Sequence, residues 1–130
     1  MAIPVTAALA AFCGLLLVAL ASRVSLLRFR LKIPYGDGGN PALMRAIRAH
    51  GNTAEHAPIF LLLALAWELS RGSGAFLAGV AVLFAASRLL FATGVLGRGL
   101  HLLRVIGASG TYLAQLLLAA GLALVALRMV

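Results

Sequence analysis

The sequence is poor in charged residues and in cysteine. Charged side chains make up only 11% of the 130 residues, whereas in a typical soluble domain they make up about a quarter. Hydrophobic residues make up 63%, and the mean hydropathy is +1.07. We therefore expect the exterior of the protein to face lipid rather than water. The one cysteine, Cys13, excludes a disulfide within the chain and is expected to act as a small hydrophobic residue.

Acidic residues are also scarce. Three acids stand against 11 lysines and arginines, which gives a formal net charge of +8. On a small soluble protein this balance is typical of nucleic-acid binding. Here most of the basic residues flank apolar segments, as is typical of residues that set membrane topology and contact lipid headgroups. We therefore expect a lipid bilayer as partner and no nucleic acid.

Four long apolar segments cover residues 3–27, 41–70, 74–96 and 100–128. Each is long enough to cross a hydrocarbon core, which takes about 20 helical residues. Segments that cross lipid must be helical, because a lone strand would leave its backbone groups unpaired. Short connections make consecutive helices antiparallel neighbours. The sequence therefore predicts a single domain over residues 1–130, an all-α bundle of four antiparallel transmembrane helices.

The distribution of basic residues predicts the orientation of the bundle. The segment before the first span has no basic residue, so we interpret that span as a retained helix and not as a signal peptide. The second connection has only Arg71. Basic residues in the other two connections are Arg28, Arg30, Lys32 and Arg45 in the first and Arg98 and Arg104 in the third. Loops 1 and 3 should therefore be cytoplasmic, with both termini outside.

The second segment carries a polar stripe on one face. At 100° per residue, Arg48, Asn52 and Glu55 fall within about 60° of one another, and Arg45 lies close to the same stripe. Arg48 and Glu55 are about 10 Å apart along the helix axis. Ionisable groups at membrane depth face a bundle interior or a wet cavity. Two interpretations remain open: the polar groups satisfy one another between helices, or they bind a zwitterionic ligand.

Other polar and small residues suggest how the helices meet. Arg88 lies inside the third span and needs a partner, for which Glu55 is the expected counter-charge. Trp67 and Glu68 are expected at the far membrane interface. In the fourth span Arg104, Thr111 and Gln115 share a face, with Tyr112 nearby. Pairs of small residues that permit close helix packing are Ala7 with Ala11, Ala10 with Gly14, and Gly107 with Gly110.

Two further kinds of site are not supported by the sequence. The loop "PYGDGGNP" is rich in glycine, but no Gly-Lys-Ser/Thr signature follows it, so we expect a turn at the membrane surface. His50 and His56 are six residues apart and do not share a helix face. We therefore predict no metal site.

The stretch "RAHGNTAEHAP" resembles the second-helix motif Arg-x-x-x-Asn-x-x-Glu-x-x-Pro of the membrane-associated proteins of eicosanoid and glutathione metabolism, the MAPEG family. Four spans, a basic first loop and an arginine in the third helix extend the resemblance over essentially the whole chain. "GDGGNPALMRAIRAHGN" is similar to the small bacterial members. The resemblance therefore implies a protein of the bacterial inner membrane.

The resemblance also implies a homotrimer that binds glutathione as co-substrate between adjacent subunits, near the cytoplasmic side. The motif residues Arg48, Asn52 and Glu55 would contact the tripeptide. Arg88, and Arg28 at the end of the first helix, would complete the cradle. Arg104 is the nearest match to the fourth-helix arginine that holds the thiol as thiolate, although its spacing is offset. Eukaryotic members carry two tyrosines where this sequence has Phe91 and Val95.

Two functions are consistent with these residues. The first is a glutathione-dependent transferase or peroxidase that needs no metal and acts on lipophilic electrophiles or lipid hydroperoxides from the bilayer. The second is a non-enzymatic membrane trimer, structural or lipid-binding, in which the polar cluster only ties helices together. The sequence names neither the second substrate nor the reaction type. The replaced tyrosines leave open whether the thiol is glutathione or another one.

Overall fold

The computed structural model describes residues 2–97 and 99–128, and these form four helices. The helices are α1 (Pro4–Leu31), α2 (Pro41–Arg71), α3 (Ala75–Leu96) and α4 (His101–Leu127). The all-α fold expected from the sequence is confirmed. The first helix runs to Leu31, beyond the segment that ends at residue 27, because the basic residues of "RFRL" continue its backbone hydrogen bonding.

Loop 1 is a turn whose shape depends on glycine and asparagine. Gly36, Gly38 and Gly39 have φ angles of 62°, 57° and 71°, which residues with a Cβ rarely adopt. Asn40 then caps α2, because its Oδ1 accepts hydrogen bonds from the backbone N–H groups of Ala42 (3.0 Å) and Leu43 (3.1 Å). The glycine-rich connection is thus a turn and a helix cap.

Consecutive helices pack antiparallel. In α2 and α3, Phe60 stacks on Phe84 with ring centroids 3.9 Å apart, while the later Glu68 meets Ser73 just before α3. In α3 and α4, Gly107 lies against the backbone of Phe91 and Gly110 lies against Ser87. In both helix pairs, a later residue of one helix contacts an earlier residue of the other, so the two helices run antiparallel, as the short connections predicted.

Small residues let α3 and α4 approach closely. A Cβ added at Gly107 would collide with backbone atoms of Phe91, and one at Gly94 would collide with the backbone of Arg104. The Gly107–Gly110 pair therefore permits close helix packing within the chain, as predicted. The small residues of α1 behave differently, since Gly14 has nothing within 4 Å of an added Cβ and Ala7, Ala10 and Ala11 are exposed.

The exterior of the bundle is apolar along its length. Large hydrophobic side chains that are more than half exposed include Leu15, Val18, Ile59, Leu62, Val82, Leu116 and Leu124. Three helices, α1, α3 and α4, are long and apolar enough to cross a membrane. The second helix does not meet the same criterion, because its first half carries the polar stripe. That α2 crosses the membrane stays a prediction. The orientation of the bundle in the membrane also stays a prediction, and one of the basic residues on which it depends, Arg98, lies outside the described residues.

Candidate functional site

A cleft of about 1420 Å³ opens between the first half of α2, the end of α3 and the start of α4. It is open to solvent at one end of the bundle, where loop 1 forms its rim through Gly36 and Asp37. Four of the residues predicted to form the site line this cleft: Arg48, Asn52, Glu55 and Arg104. The structure therefore brings the motif of α2 and the arginine of α4 to one surface.

Two charged side chains of the motif have no hydrogen-bond partner among the residues that the structure describes. Arg48 and Glu55 are both exposed to the cleft. Neither takes part in the side-chain hydrogen bonds found among residues 2–97 and 99–128. Since they are about 10 Å apart along the axis of α2, they do not neutralise each other. Within the described part of the chain, the cleft thus presents one cation and one anion without partners on the same helix face.

Arg88 lies beneath the cleft, with only 1% of its surface exposed. Its Nη1 donates to Oδ1 of Asn52 (2.8 Å), and its Nε donates to Oγ1 of Thr111 (3.0 Å). Its guanidinium carbon also lies 4.8 Å from the ring centroid of Phe91. The expected counter-charge, Glu55, is wrong as a partner. Neutral oxygens satisfy the guanidinium, and Glu55 remains at the surface of α2.

The contacts of Arg88 fix the orientation of Asn52. Because Oδ1 of Asn52 accepts from Arg88, its amide nitrogen keeps its two N–H groups for other acceptors. Thr111 supports the arginine from below, since its hydroxyl donates to the carbonyl of Gly107 (2.8 Å) while accepting from Arg88. Because each nitrogen of the buried guanidinium has an acceptor, Arg88 gives the cleft a rigid base.

Arg104 is at the mouth of the cleft, on the first turn of α4. Its Nη2 donates to Nδ1 of His101 at 2.9 Å, so the neutral imidazole carries its proton on Nε2. Both residues are exposed and line the cleft. The face that Arg104 was predicted to share with Thr111 and Gln115 therefore changes along α4, from exposed at Arg104 to buried at Thr111.

Aromatic and aliphatic residues form another part of the cleft wall. Phe91 and Val95 line the cleft, as does Tyr112, which is 58% exposed. Phe91 and Val95 of α3 bring no hydroxyl to the cleft. Tyr112 brings one, but from α4. Behind Tyr112, Nδ1 of His56 lies 3.0 Å from Oε1 of Gln115, and the His56 and Tyr112 ring centroids are 5.5 Å apart. This contact between α2 and α4 was not predicted, because no local spacing links residues 59 apart.

Arg28, a residue that the resemblance assigns to the ligand, does not line this cleft. Its Nη1 donates to the carbonyl oxygens of Ile33, Pro34 and Gly36, the last at 2.8 Å. Arg28 therefore holds the loop that forms the rim. Within one chain its contribution to the cleft is indirect.

The far end of α2 holds a buried carboxylate. Glu68 is only 1% exposed, and its place at the far membrane interface stays a prediction. Its two carboxylate oxygens accept hydrogen bonds from the N–H groups of Val5 (3.0 Å) and Thr6 (2.8 Å) at the start of α1, and Ser73 donates a third. An anion there is stabilised by the helix dipole. Trp67 packs on Phe76, with centroids 4.6 Å apart.

The sequence signal for the contacts of Glu68 lies in the donor, at the start of α1. Helix α1 begins with Ile3 as its cap residue and has no side-chain cap of its own, so its first N–H groups need an acceptor from elsewhere.

The described residues also offer no metal site. No group of three or more His, Cys, Asp or Glu side chains that could hold a metal ion occurs among them.

These observations define an integral membrane protein, a four-helix bundle with a charged cleft at one end. Comparison with known proteins gives the family. The MAPEG family profile matches residues 6–124. The chain is 35% identical over 114 residues to inner membrane protein YecN of Escherichia coli strain K12 and of strain O6:H1, covering 88% of this chain and 86% of each relative. The chain belongs to the MAPEG family. The location of these relatives supports the predicted inner-membrane location.

Proposed function

We propose that the cleft binds glutathione and that the protein is a glutathione-dependent transferase or peroxidase. The observation that carries the proposal is that Arg48 and Glu55, which have no side-chain hydrogen bond to any described residue, lie beside Arg104 in one cleft. Unpaired charges of both signs at one concave surface suit a zwitterionic ligand. A purely structural cluster would instead satisfy its charges within the fold, as the backbone N–H groups and the Ser73 hydroxyl do for Glu68.

The charges of glutathione complement the cleft. The tripeptide carries two carboxylates, one ammonium and one thiol. Arg48 can bind a carboxylate through two parallel N–H groups, and Glu55 can accept from the ammonium. The free N–H groups of Asn52 provide a neutral donor between these two residues, held in place by Arg88.

Arg104 is the residue that we assign to the thiol. A free thiol has a pKa of about 8.5 and is mostly protonated at neutral pH, whereas the thiolate is the nucleophile. A guanidinium close to the sulfur favours the anion and lowers the pKa of the bound thiol. In a conjugation, the thiolate sulfur forms a bond to the electrophilic carbon, and the leaving group departs with the electron pair of the bond that breaks. Arg104 then no longer has a thiolate to stabilise, and product binds less tightly.

The second substrate of the proposed reaction is lipophilic and comes from the bilayer, as an electrophile or a lipid hydroperoxide. Phe91, Val95 and Tyr112 give the cleft an apolar wall where such a molecule can meet the sulfur. The proposal includes a homotrimer with the ligand between subunits. In that assembly Arg28 would act on the cleft of an adjacent subunit, because it does not line the cleft of its own chain.

The test is calorimetric titration of glutathione into purified protein in detergent. Wild type should bind saturably, and Arg48→Ala should lose at least about tenfold in affinity, the value of a charge-assisted hydrogen bond. Arg30→Ala is the matched control, since Arg30 is exposed at the end of α1 and does not line the cleft. Absence of binding to wild type at millimolar glutathione would contradict the proposal.

A second reading of the same samples separates an enzyme from a binding protein. Ultraviolet difference absorbance detects the thiolate of bound glutathione, and Arg104→Ala should remove this signal while leaving the tripeptide bound. Binding without a thiolate signal in wild type would favour the alternative, a non-enzymatic membrane trimer. The observation behind that alternative is that Arg88 is already satisfied by Asn52 and Thr111, so part of the polar cluster is structural.

A further inference from the structure

We infer that Gly51 determines which ligands fit the cleft, because the side chain it lacks leaves the room that a ligand needs between Glu55 and Arg48. The inference rests on the proposed function and adds to it a residue that selects ligands by size. Gly51 belongs to α2 and lines the cleft. In the family motif Arg-x-x-x-Asn-x-x-Glu-x-x-Pro it occupies an unspecified position, so the resemblance assigns it no role.

Neither the backbone nor the packing of α2 requires glycine at position 51. The residue is helical, and it is not one of the glycines with a positive φ. Beyond its sequence neighbours and the adjacent backbone of α2, a Cβ added there would meet no atom of the described residues within 4 Å. Glycine inside a helix is destabilising relative to alanine. The described part of the protein therefore offers no structural reason for this glycine.

Most of the other glycines inside helices are required by close packing. An added Cβ would collide with a neighbouring helix at Gly94, Gly107, Gly110 and Gly121. Gly14 and Gly79 share the open surroundings of Gly51, but they do not line the cleft. Among the glycines of the four described helices, Gly51 alone combines open surroundings with a place on the cleft wall.

Gly51 lies between the two charges of the motif. It follows Arg48 by three residues and precedes Glu55 by four, which places it about 4.5 Å from one and about 6 Å from the other along the helix axis. At 100° per residue it is within about 60° of both. A tripeptide extended at about 3.5 Å per residue spans about 10.5 Å, which matches the separation of the two charges. With its ammonium at Glu55, the ligand therefore reaches Arg48, and its central residue passes over Gly51.

The missing side chain lets the ligand lie against the helix backbone. A larger residue at position 51 would stand between Glu55 and Arg48 and hold the ligand away from both. Charge-assisted hydrogen bonds need donor and acceptor atoms about 2.7–2.9 Å apart, so a small displacement weakens the contacts at both ends. Gly51 thus makes the cleft deep enough for a peptide that bridges the two charges.

The experiment is a size series at this position, Gly51→Ala and Gly51→Leu, with Gly79→Ala as the matched control. Glutathione binding is measured by calorimetry in detergent, and thermal unfolding and oligomeric state are measured on the same samples. Gly51→Ala should unfold about 2 °C higher than wild type, because alanine favours the helix. It should nevertheless bind glutathione roughly tenfold more weakly. Gly51→Leu should lose more affinity, and Gly79→Ala should gain stability and bind as wild type does.

Two results would overturn the inference. One is a Gly51→Ala protein that binds glutathione as tightly as wild type does. The other is a Gly51→Ala protein that loses binding together with its stability or its oligomeric state, because the room at Gly51 would then serve the packing of another subunit. Failure of wild type to bind glutathione at all would instead contradict the proposed function.

Discussion

The two glutamates of α2 have opposite environments, although both belong to one helix of a membrane protein. Glu55 is exposed in the cleft and makes no hydrogen bond to any described residue. Glu68 is buried at the other end of the bundle, and its carboxylate accepts from Val5, Thr6 and Ser73. One carboxylate is satisfied by the fold, and the other is available to a ligand.

The arginines make the same contrast across the cleft floor. Arg88 is buried and each of its guanidinium nitrogens donates to Asn52 or Thr111, whereas Arg48 is exposed and bonds to no side chain among the described residues. Charges at membrane depth are costly unless they are paired. The difference teaches that a charge in an apolar helix is not by itself a sign of a binding site. The partners of the charge show whether the fold already satisfies it or leaves it available to a ligand.

The largest expected effect is on stability at the Glu68 end. Glu68→Ala would leave two backbone N–H groups of α1 and the Ser73 hydroxyl without their acceptor, so the free energy of unfolding should fall by about 3 kcal/mol. Glu55→Ala removes an exposed group and should change it by no more than about 0.5 kcal/mol. Thermal unfolding of the two variants in the same detergent measures both. Equal losses of stability would remove the distinction between the two carboxylates.

A smaller loss is expected at the base of the cleft. Thr111→Val keeps the volume of the side chain but removes the oxygen that accepts from Arg88, so the unfolding free energy should fall by about 2 kcal/mol. Thr93→Val is the matched control, because the Thr93 hydroxyl is exposed and bonds only to carbonyls of its own helix. If Thr111→Val unfolded at the same temperature as Thr93→Val, the hydrogen bonds of Arg88 to Thr111 would contribute nothing to stability.

Much of the cleft follows from local regularities in the sequence. Helical periodicity alone places Arg48, Asn52 and Glu55 on one face, and the structure has them in one cleft. The turn "PYGDGGNP" and the close approach at Gly107 and Gly110 likewise depend on residue types whose backbone preferences are known. Helix limits followed from apolar runs, except at the basic end of α1.

The partners of buried polar groups could not be predicted in the same way. Arg88 bonds to residues 36 and 23 positions away, and Glu68 bonds to residues 62 and 63 positions away. Such pairs depend on how the helices are rotated and shifted against one another. Charge matching favoured Glu55 for Arg88, but in the packed bundle the neutral oxygens of Asn52 and Thr111 are the ones within reach. Arg28 shows the same limit, since its contacts depend on the path of loop 1.

The most direct test of the central claim compares glutathione binding by the two isosteric variants, Glu55→Gln and Glu68→Gln. Both remove one negative charge from α2 and keep the side-chain shape. Calorimetry should show that Glu55→Gln loses at least about tenfold in affinity, because the ligand ammonium loses its counter-ion. Glu68→Gln, once folded, should bind as wild type does. Equal affinities in both variants, or a larger loss in Glu68→Gln, would contradict the assignment of Glu55 to the ligand.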